Sequence, residues 1–230
     1  GLRWQVNLDN KGDMSILKID NLGFQYGNTT ILKDLSLHIQ GSGLYALHGE
    51  SGSGKTTFIN IIALIQKPSA GKMALFNQPI DFTNQEQIDN YRKKIAYFFQ
   101  DLNLIESLTV RENLHVISLI NEQEISNERL EEQATKLKMS EKLDVTVSNL
   151  SGGERQRAAF LKIMLFEYSL ILLDEPTNNL DKDNIQMMLG MLSELKKTKT
   201  ILVVTHSDTV VQHADVVLRF EDLNKKDQSI

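Results

Sequence analysis

Five short apolar runs punctuate this chain: Leu44–Leu47, Ile95–Phe99, Leu170–Leu173, Thr200–Thr205 and Val216–Phe220. Runs of this length, apolar at most positions, read as strands buried on both faces, which is the habit of parallel sheets. Around them, Thr57–Ile65 and Gly152–Phe166 read as helices, residues 84–94 are polar and helix-compatible, and Asp183–Lys197 is amphipathic. Ile16–Ile19 and Leu35–Ile39 alternate instead, as half-buried strands do, with Tyr26-Gly27-Asn28 as a turn signal between them. Residues 16–47 are therefore expected to form a small antiparallel sheet leading into the Leu44–Leu47 strand, with Gly71–Asn77 as a further hairpin strand. Val216–Phe220 would close the sheet and Glu221–Ile230 would be a polar tail.

Strands alternating with helices predict an α/β fold, a mostly parallel sheet covered on both faces, joined to the antiparallel β subdomain. Residues 101–149 break the alternation. Leu108–Ile120 and Asn127–Met139 carry helical spacing with charge mostly on one side, so this stretch is expected to be an inserted helical subdomain. The expected organisation is one domain over residues 14–230, its core built from 14–100 and 150–220. Residues 1–13 are expected to stand apart, as a short N-terminal extension or an added non-native leader, because Met14 looks like a natural start.

Composition narrows the choice. A formal net charge of −5 argues against a nucleic-acid binder held by a general basic surface. The absence of cysteine removes disulfides, thiolate metal sites and cysteine nucleophiles. No run approaches the roughly 20 apolar residues that span a bilayer, so a soluble chain is expected, with any membrane role exercised through a partner.

The densest chemistry lies at Gly49-Glu50-Ser51-Gly52-Ser53-Gly54-Lys55-Thr56, which satisfies the phosphate-binding pattern G-x-x-x-x-G-K-[ST]. Glycines let the backbone curl so that successive N–H groups face one concavity. The helix entered through Lys55, Thr56 and Thr57 adds its N-terminal dipole there. Lys55 would reach the β- and γ-phosphates of a nucleoside triphosphate, and the Thr56 hydroxyl would ligate Mg²⁺. The apolar strand Leu170–Leu173 ends in Asp174-Glu175, placing carboxylates at the edge where open α/β sheets bind ligands. Asp174 suits the Mg²⁺ role and Glu175 the polarisation of an attacking water. A third stretch, Leu150-Ser151-Gly152-Gly153-Glu154-Arg155-Gln156-Arg157, offers an N-cap serine, paired glycines and a helix start. It reads either as a second phosphate-sized anion site or as a well-capped helix.

In this order, the P-loop, L-S-G-G-E and the apolar strand ending D-E-P resemble the nucleotide-binding subunit of ABC (ATP-binding cassette) transporters, from Ile16 to about Phe220. The resemblance implies a P-loop ATPase core, ATP with Mg²⁺, and hydrolysis of ATP coupled to transport. It implies that Tyr26 stacks on adenine and that Gln100 is the glutamine contacting Mg²⁺ and the attacking water. It also implies that Asp181 belongs to the D-loop, where Asn179 replaces the usual alanine, and that His206 is the switch histidine on the γ-phosphate. Ser151, Gly152, Gly153 and Glu154 would serve ATP held by a second copy, in a head-to-tail homodimer. The implied setting is the cytoplasmic face of the cell membrane, with a separate transmembrane permease subunit and no nucleic acid. That subunit would send a helix into a groove near Gln100.

Tyr97–Ile105, with Leu108–Leu114, resembles the branch of lipoprotein-release, macrolide-export and antimicrobial-peptide-resistance proteins. Two other readings stay open on sequence. One is a non-transport ABC ATPase acting on ribosomes, chromosomes or DNA repair. The other is a membrane-partnered ATPase that signals without moving cargo.

Overall fold

The computed structural model describes residues 15–98, 103–178 and 180–224. Among the described residues, nine strands divide between two sheets. β1 (Ser15–Tyr26), β2 (Thr29–Gln40), β4 (Ala70–Leu75) and the two-residue β5 (Gln78–Pro79) form an antiparallel sheet in the order β2-β1-β4-β5. β3 (Gly43–His48), β6 (Ile95–Phe98), β7 (Leu170–Asp174), β8 (Thr200–Thr205) and β9 (Val216–Arg219) form a parallel sheet in the order β6-β7-β8-β3-β9. The helices are α1 (Lys55–Ile62), α2 (Gln85–Arg92), α3 (Val110–Asn121), α4 (Asn127–Lys136), α5 (Gly152–Leu165), α6 (Lys182–Leu195), α7 (Asp208–His213) and α8 (Phe220–Leu223).

The parallel sheet lies between two cores, and strand periodicity sorts its side chains between them. Leu170 and Leu172 of β7, Leu202 and Val204 of β8, and Ile95 and Tyr97 of β6 face the core shared with α1 and the antiparallel sheet. Ile171 and Leu173, Ile201 and Val203, and Ala96 and Phe98 face the opposite core, built with α5 and α6. Leu114 of α3 and Leu130 and Ala134 of α4 join that same opposite core. Phe98 and Phe160 stack there with ring centroids 5.0 Å apart.

Three expectations are corrected. β3 does not extend the antiparallel sheet: it pairs in parallel with β8 and β9, from Leu44↔Ile201 to Leu47↔Leu218. Its apolar side chains on both faces require cover on both sides, which the antiparallel sheet does not offer. The last strand ends at Arg219, because Phe220 turns inward and starts α8. The residues after it are not simply a polar tail. Asn224 is buried, donating from Nδ2 to Ile31 O at 3.0 Å and accepting from Lys33 N at 2.9 Å. A further helix, α7, was not expected at all, since it is six residues long and buries only Val210.

Phe220 is fully buried against Phe58 of α1, with ring centroids 5.9 Å apart, and so anchors α8 beneath the loop that follows β3. Phe220→Ala is expected to cost about 3–5 kcal/mol of stability, a loss of transfer free energy plus a cavity. The shift of the urea-unfolding midpoint at constant slope measures it.

Candidate functional site

Three strand ends build one cleft. The loop after β3, the end of β7 and the residue after β8 meet at the carboxyl edge of the parallel sheet, where such sheets hold ligands. The cleft has a volume of about 790 Å³ and is lined by Gly49, Ser51, Gly52, Gly54, Lys55, Thr56, Thr57, Asp174, Glu175 and His206, together with Ile31, Asn178 and Val204.

The loop wraps around the amine of Lys55. The amine donates to Gly49 O at 2.8 Å, to Ser53 Oγ at 3.3 Å and to Glu50 O, while the Ser53 hydroxyl donates to Glu50 O at 2.8 Å. Gly54, the N-cap of α1, sits at φ 106°, and no side chain caps the helix. A side chain at Gly54 would be strained by that φ, and its Cβ would lie 3.0 Å from Ile31 Cγ2. The start of α1 is thus an uncapped helix N-terminus opening on the cleft, suited to an anion.

Across the cleft, the Thr56 hydroxyl donates to Asp174 Oδ2 at 3.0 Å. The other oxygen, Asp174 Oδ1, is buried without a hydrogen-bond partner among the described residues. Burial pushes the Asp174 carboxyl up from its ordinary range; the Thr56 hydroxyl pulls it back, the Glu175 charge raises it again and Lys55 lowers it. A hydroxyl beside a carboxylate with one idle buried oxygen is a hard, all-oxygen donor set of the kind that suits Mg²⁺.

Glu175 adopts φ 48°, a left-handed conformation that bends the chain sharply at the end of β7, and its N–H donates to Val204 O at 2.8 Å. Its Oε1 lies 2.8 Å from Nδ1 of His206, and its Oε2 accepts weakly from His206 N at 3.4 Å. His206 is 67% exposed, so one face of its ring is free to meet a ligand.

Other predicted residues lie elsewhere. Ser151, Gly152, Gly153, Glu154, Asp181 and Tyr26 do not line this cleft among the described residues. Tyr26 is 78% exposed at the β1–β2 turn. Ser151 caps α5: its hydroxyl accepts from Glu154 N at 3.3 Å, and the Glu154 carboxylate accepts from Ser151 N at 2.9 Å. That contact, with Lys142 at 3.1 Å, holds the Glu154 carboxyl below the usual range. Gln100 and Asn179 lie outside the described residues.

Two groups escaped sequence reasoning. Asn184 joins Asp181 to the start of α5, receiving Arg157 Nη1 at 2.9 Å and donating to Asp181 Oδ2 at 3.0 Å, while Asp181 Oδ1 accepts from Asn184 N at 2.8 Å. It packs so close under Gly153 that a Cβ there would sit 2.8 Å from its Nδ2. Glu221 holds the phosphate loop from below, its Oε1 accepting from Glu50 N at 2.8 Å. Nothing in their spacing marked either residue, since both act through contacts between elements distant in sequence.

Comparison with known proteins agrees with this geometry. Residues 32–178 match the family model described as ABC transporter. The bacitracin export ATP-binding protein BceA of Halalkalibacterium halodurans is 31% identical, covering 94% of this chain and 91% of that protein. The lipoprotein-releasing system ATP-binding protein LolD of Aquifex aeolicus is 31% identical over 90% of this chain and 94% of its own. Both fall in the branch expected from residues 97–114. The dimeric bacterial ABC transporter cassette MJ0796 superposes with a TM-score of 0.81 at 28% identity, covering 89% of this chain and 94% of that one. It has also been solved in a post-hydrolysis state with ADP and Pi, which this chain matches with a TM-score of 0.77 at 29% identity. With its phosphate loop, acidic strand end and capped L-S-G-G-E helix in this fold, the chain belongs to the ABC transporter family as an ATP-hydrolysing cassette.

Proposed function

We propose that two copies of this chain close head to tail around two ATP molecules and drive a separate membrane subunit from the cytoplasmic face of the membrane. The observation that carries the reading is the asymmetry of the monomer. One cleft gathers a phosphate loop, two carboxylates and a histidine, whereas the capped helix start at Ser151 lies outside it. A second copy would bring Ser151, Gly152, Gly153 and Glu154 over the first copy's ATP, with Asp181 beside them.

Within each site, Thr56 and Asp174 would hold Mg²⁺, with Gln100 contributing. The ion, when bound, neutralises phosphate charge. Lys55 exchanges its carbonyl partners for phosphate oxygens, with the backbone of residues 49–57 cradling the chain of phosphates. Glu175 orients and polarises the attacking water, and His206 bonds the γ-phosphate through its exposed face. Tyr26 offers its ring to adenine. Most of the rate enhancement then comes from positioning and charge stabilisation.

Several observations support a separate membrane subunit. Among the described residues no helix is long and apolar enough to cross a membrane. The 31% identity to relatives named for bacitracin export and for lipoprotein release supports the same reading. In this reading the helical segment 101–149 is the arm that transmits closure, and the cargo is handled by the membrane subunit.

Two variants test the scheme. Glu175→Gln is expected to lower ATP turnover by about a hundredfold or more, the usual scale for a general base. It should leave ATP binding intact and hold a dimer in ATP, detectable by light scattering; turnover at the parent rate would remove Glu175 from this role. Ser151→Arg should cut turnover strongly while a single copy keeps its ATP affinity, as read by equilibrium binding of a fluorescent ATP analogue. An equal fall in both would mean that Ser151 serves its own copy's nucleotide.

A further inference from the structure

Apart from the nucleotide cleft, a cavity of about 220 Å³ opens beside β6, lined by Ile65, Arg92, Tyr97, Asn103, Lys162 and Tyr168 among other residues. Lys162 projects into it from α5, and the residue is only 9% exposed. Among the described residues its amine has no hydrogen-bond or ion-pair partner, and burial of the side chain pushes it down to about 8. The polar neighbours are committed elsewhere. The Tyr97 hydroxyl donates to Asn60 at 2.8 Å, and Tyr168 OH accepts from Asn121 at 3.3 Å. Arg92, the other cation of the lining, donates to Leu64 O at 2.6 Å and lies 3.5 Å from Asp89. No carboxylate lines the cavity among the described residues, and Ile65 leaves half of its surface in water.

A largely buried lysine whose amine opens on a cavity without a partner among the described residues gains little from its place in the isolated fold, and an apolar side chain of similar volume would serve packing better. Lys162 therefore has the character of half an ion pair. Two cations facing a cavity with an apolar rim complement a protein segment that carries an acidic side chain among apolar ones.

We propose that Lys162 receives an aspartate or glutamate side chain from the docking segment of the membrane subunit, completing a buried ion pair when the two proteins assemble. This rests on the reading of a separate membrane subunit given above, and it adds the chemistry by which that subunit is recognised.

The test uses the full chain, tagged, in native membranes treated with a carbodiimide, which condenses an amine with a contacting carboxylate. The expected product is an isopeptide joining Lys162 to an aspartate or glutamate of a polytopic membrane protein, identified by mass spectrometry and lost in Lys162→Met. Lys162→Met should also lower the amount of that membrane protein co-purified by about tenfold or more, the scale for truncating one partner of a buried charge pair. The same variant should raise the thermal midpoint of the isolated cassette. Exchanging the charges, Lys162→Glu with lysine at the cross-linked carboxylate, should restore co-purification. Undiminished co-purification with Lys162→Met, or a lowered thermal midpoint, would overturn the inference and leave the membrane-subunit reading standing. Recovery of no membrane subunit with the parent chain would overturn both.

Discussion

The hydrogen bond from the Thr56 hydroxyl to Asp174 fastens the first turn of α1 to the end of β7, and the arrangement of the cleft follows from it. In the order β7-β8-β3, strand β8 lies between the two strands whose ends are joined. A contact spanning that gap brings the loop after β3 over the carboxyl end of β8, so His206 and Glu175 face the same space as Lys55. Parallel strands make this convergence possible because every strand exits at the same edge. The bond also leaves Asp174 with one oxygen used and one idle, inside a site where burial disfavours its charge. Such a group gains when a cation arrives, which is why the empty lone pair says more about ligand chemistry than the pair that is bonded.

The phosphate loop is under constraint from both sides. Above it is the ligand space; below it, Glu221 accepts from Glu50 N and Phe220 packs on Phe58. Burial of Glu221 opposes its ionisation, but the backbone N–H groups of Glu50 and of Glu221 itself, with the charges of Lys55 and His48, hold its carboxyl below the usual range. A carboxylate bonded to this loop costs the site some positive potential while fixing the loop's shape. The loop is therefore braced by residues about 170 positions later in the chain.

What could be read from the sequence was whatever is encoded locally. Runs such as Leu170–Leu173 and Ile201–Val204 declare buried strands because every position is apolar, and the loop 49–56 declares itself by glycines at fixed spacing. Partnership between strands was not local: Leu44–Leu47 looks equally apolar beside β2 or beside β8, and only the pairing with β8 and β9 resolves it. α7 and α8 are too short to show a period, and Asn184 reads as an ordinary polar position of an amphipathic helix. Within the cleft, Asp174 and Glu175 followed from strand-end chemistry, whereas His206 became a candidate only through family resemblance, since a lone histidine after a strand carries no signature of its own. Lys162 escaped for the opposite reason: in a run of apolar residues its burial was readable, but its lack of a partner among the described residues was not.

In the proposed dimer one chain would carry half of each of two sites, and the start of α5 has a form that suits this. Its capping box satisfies the Ser151 and Glu154 N–H groups within the chain, so the helix end is stable without a ligand. At Gly152 a Cβ would meet nothing within 4 Å, so the approach to that turn is open. Gly153, by contrast, is closed from behind by Asn184, which Asp181 and Arg157 hold in place. One side of the turn is therefore braced and the other is free, the form expected of a surface that presses against something outside the molecule. Because Asp181 shares Asn184 with that turn, a force applied to Asp181 is passed to the start of α5 through three hydrogen bonds rather than through a flexible loop. In the proposed dimer the two segments that face the other copy would consequently move as one body, and each copy's hydrolysis would be felt by its partner's half of the site.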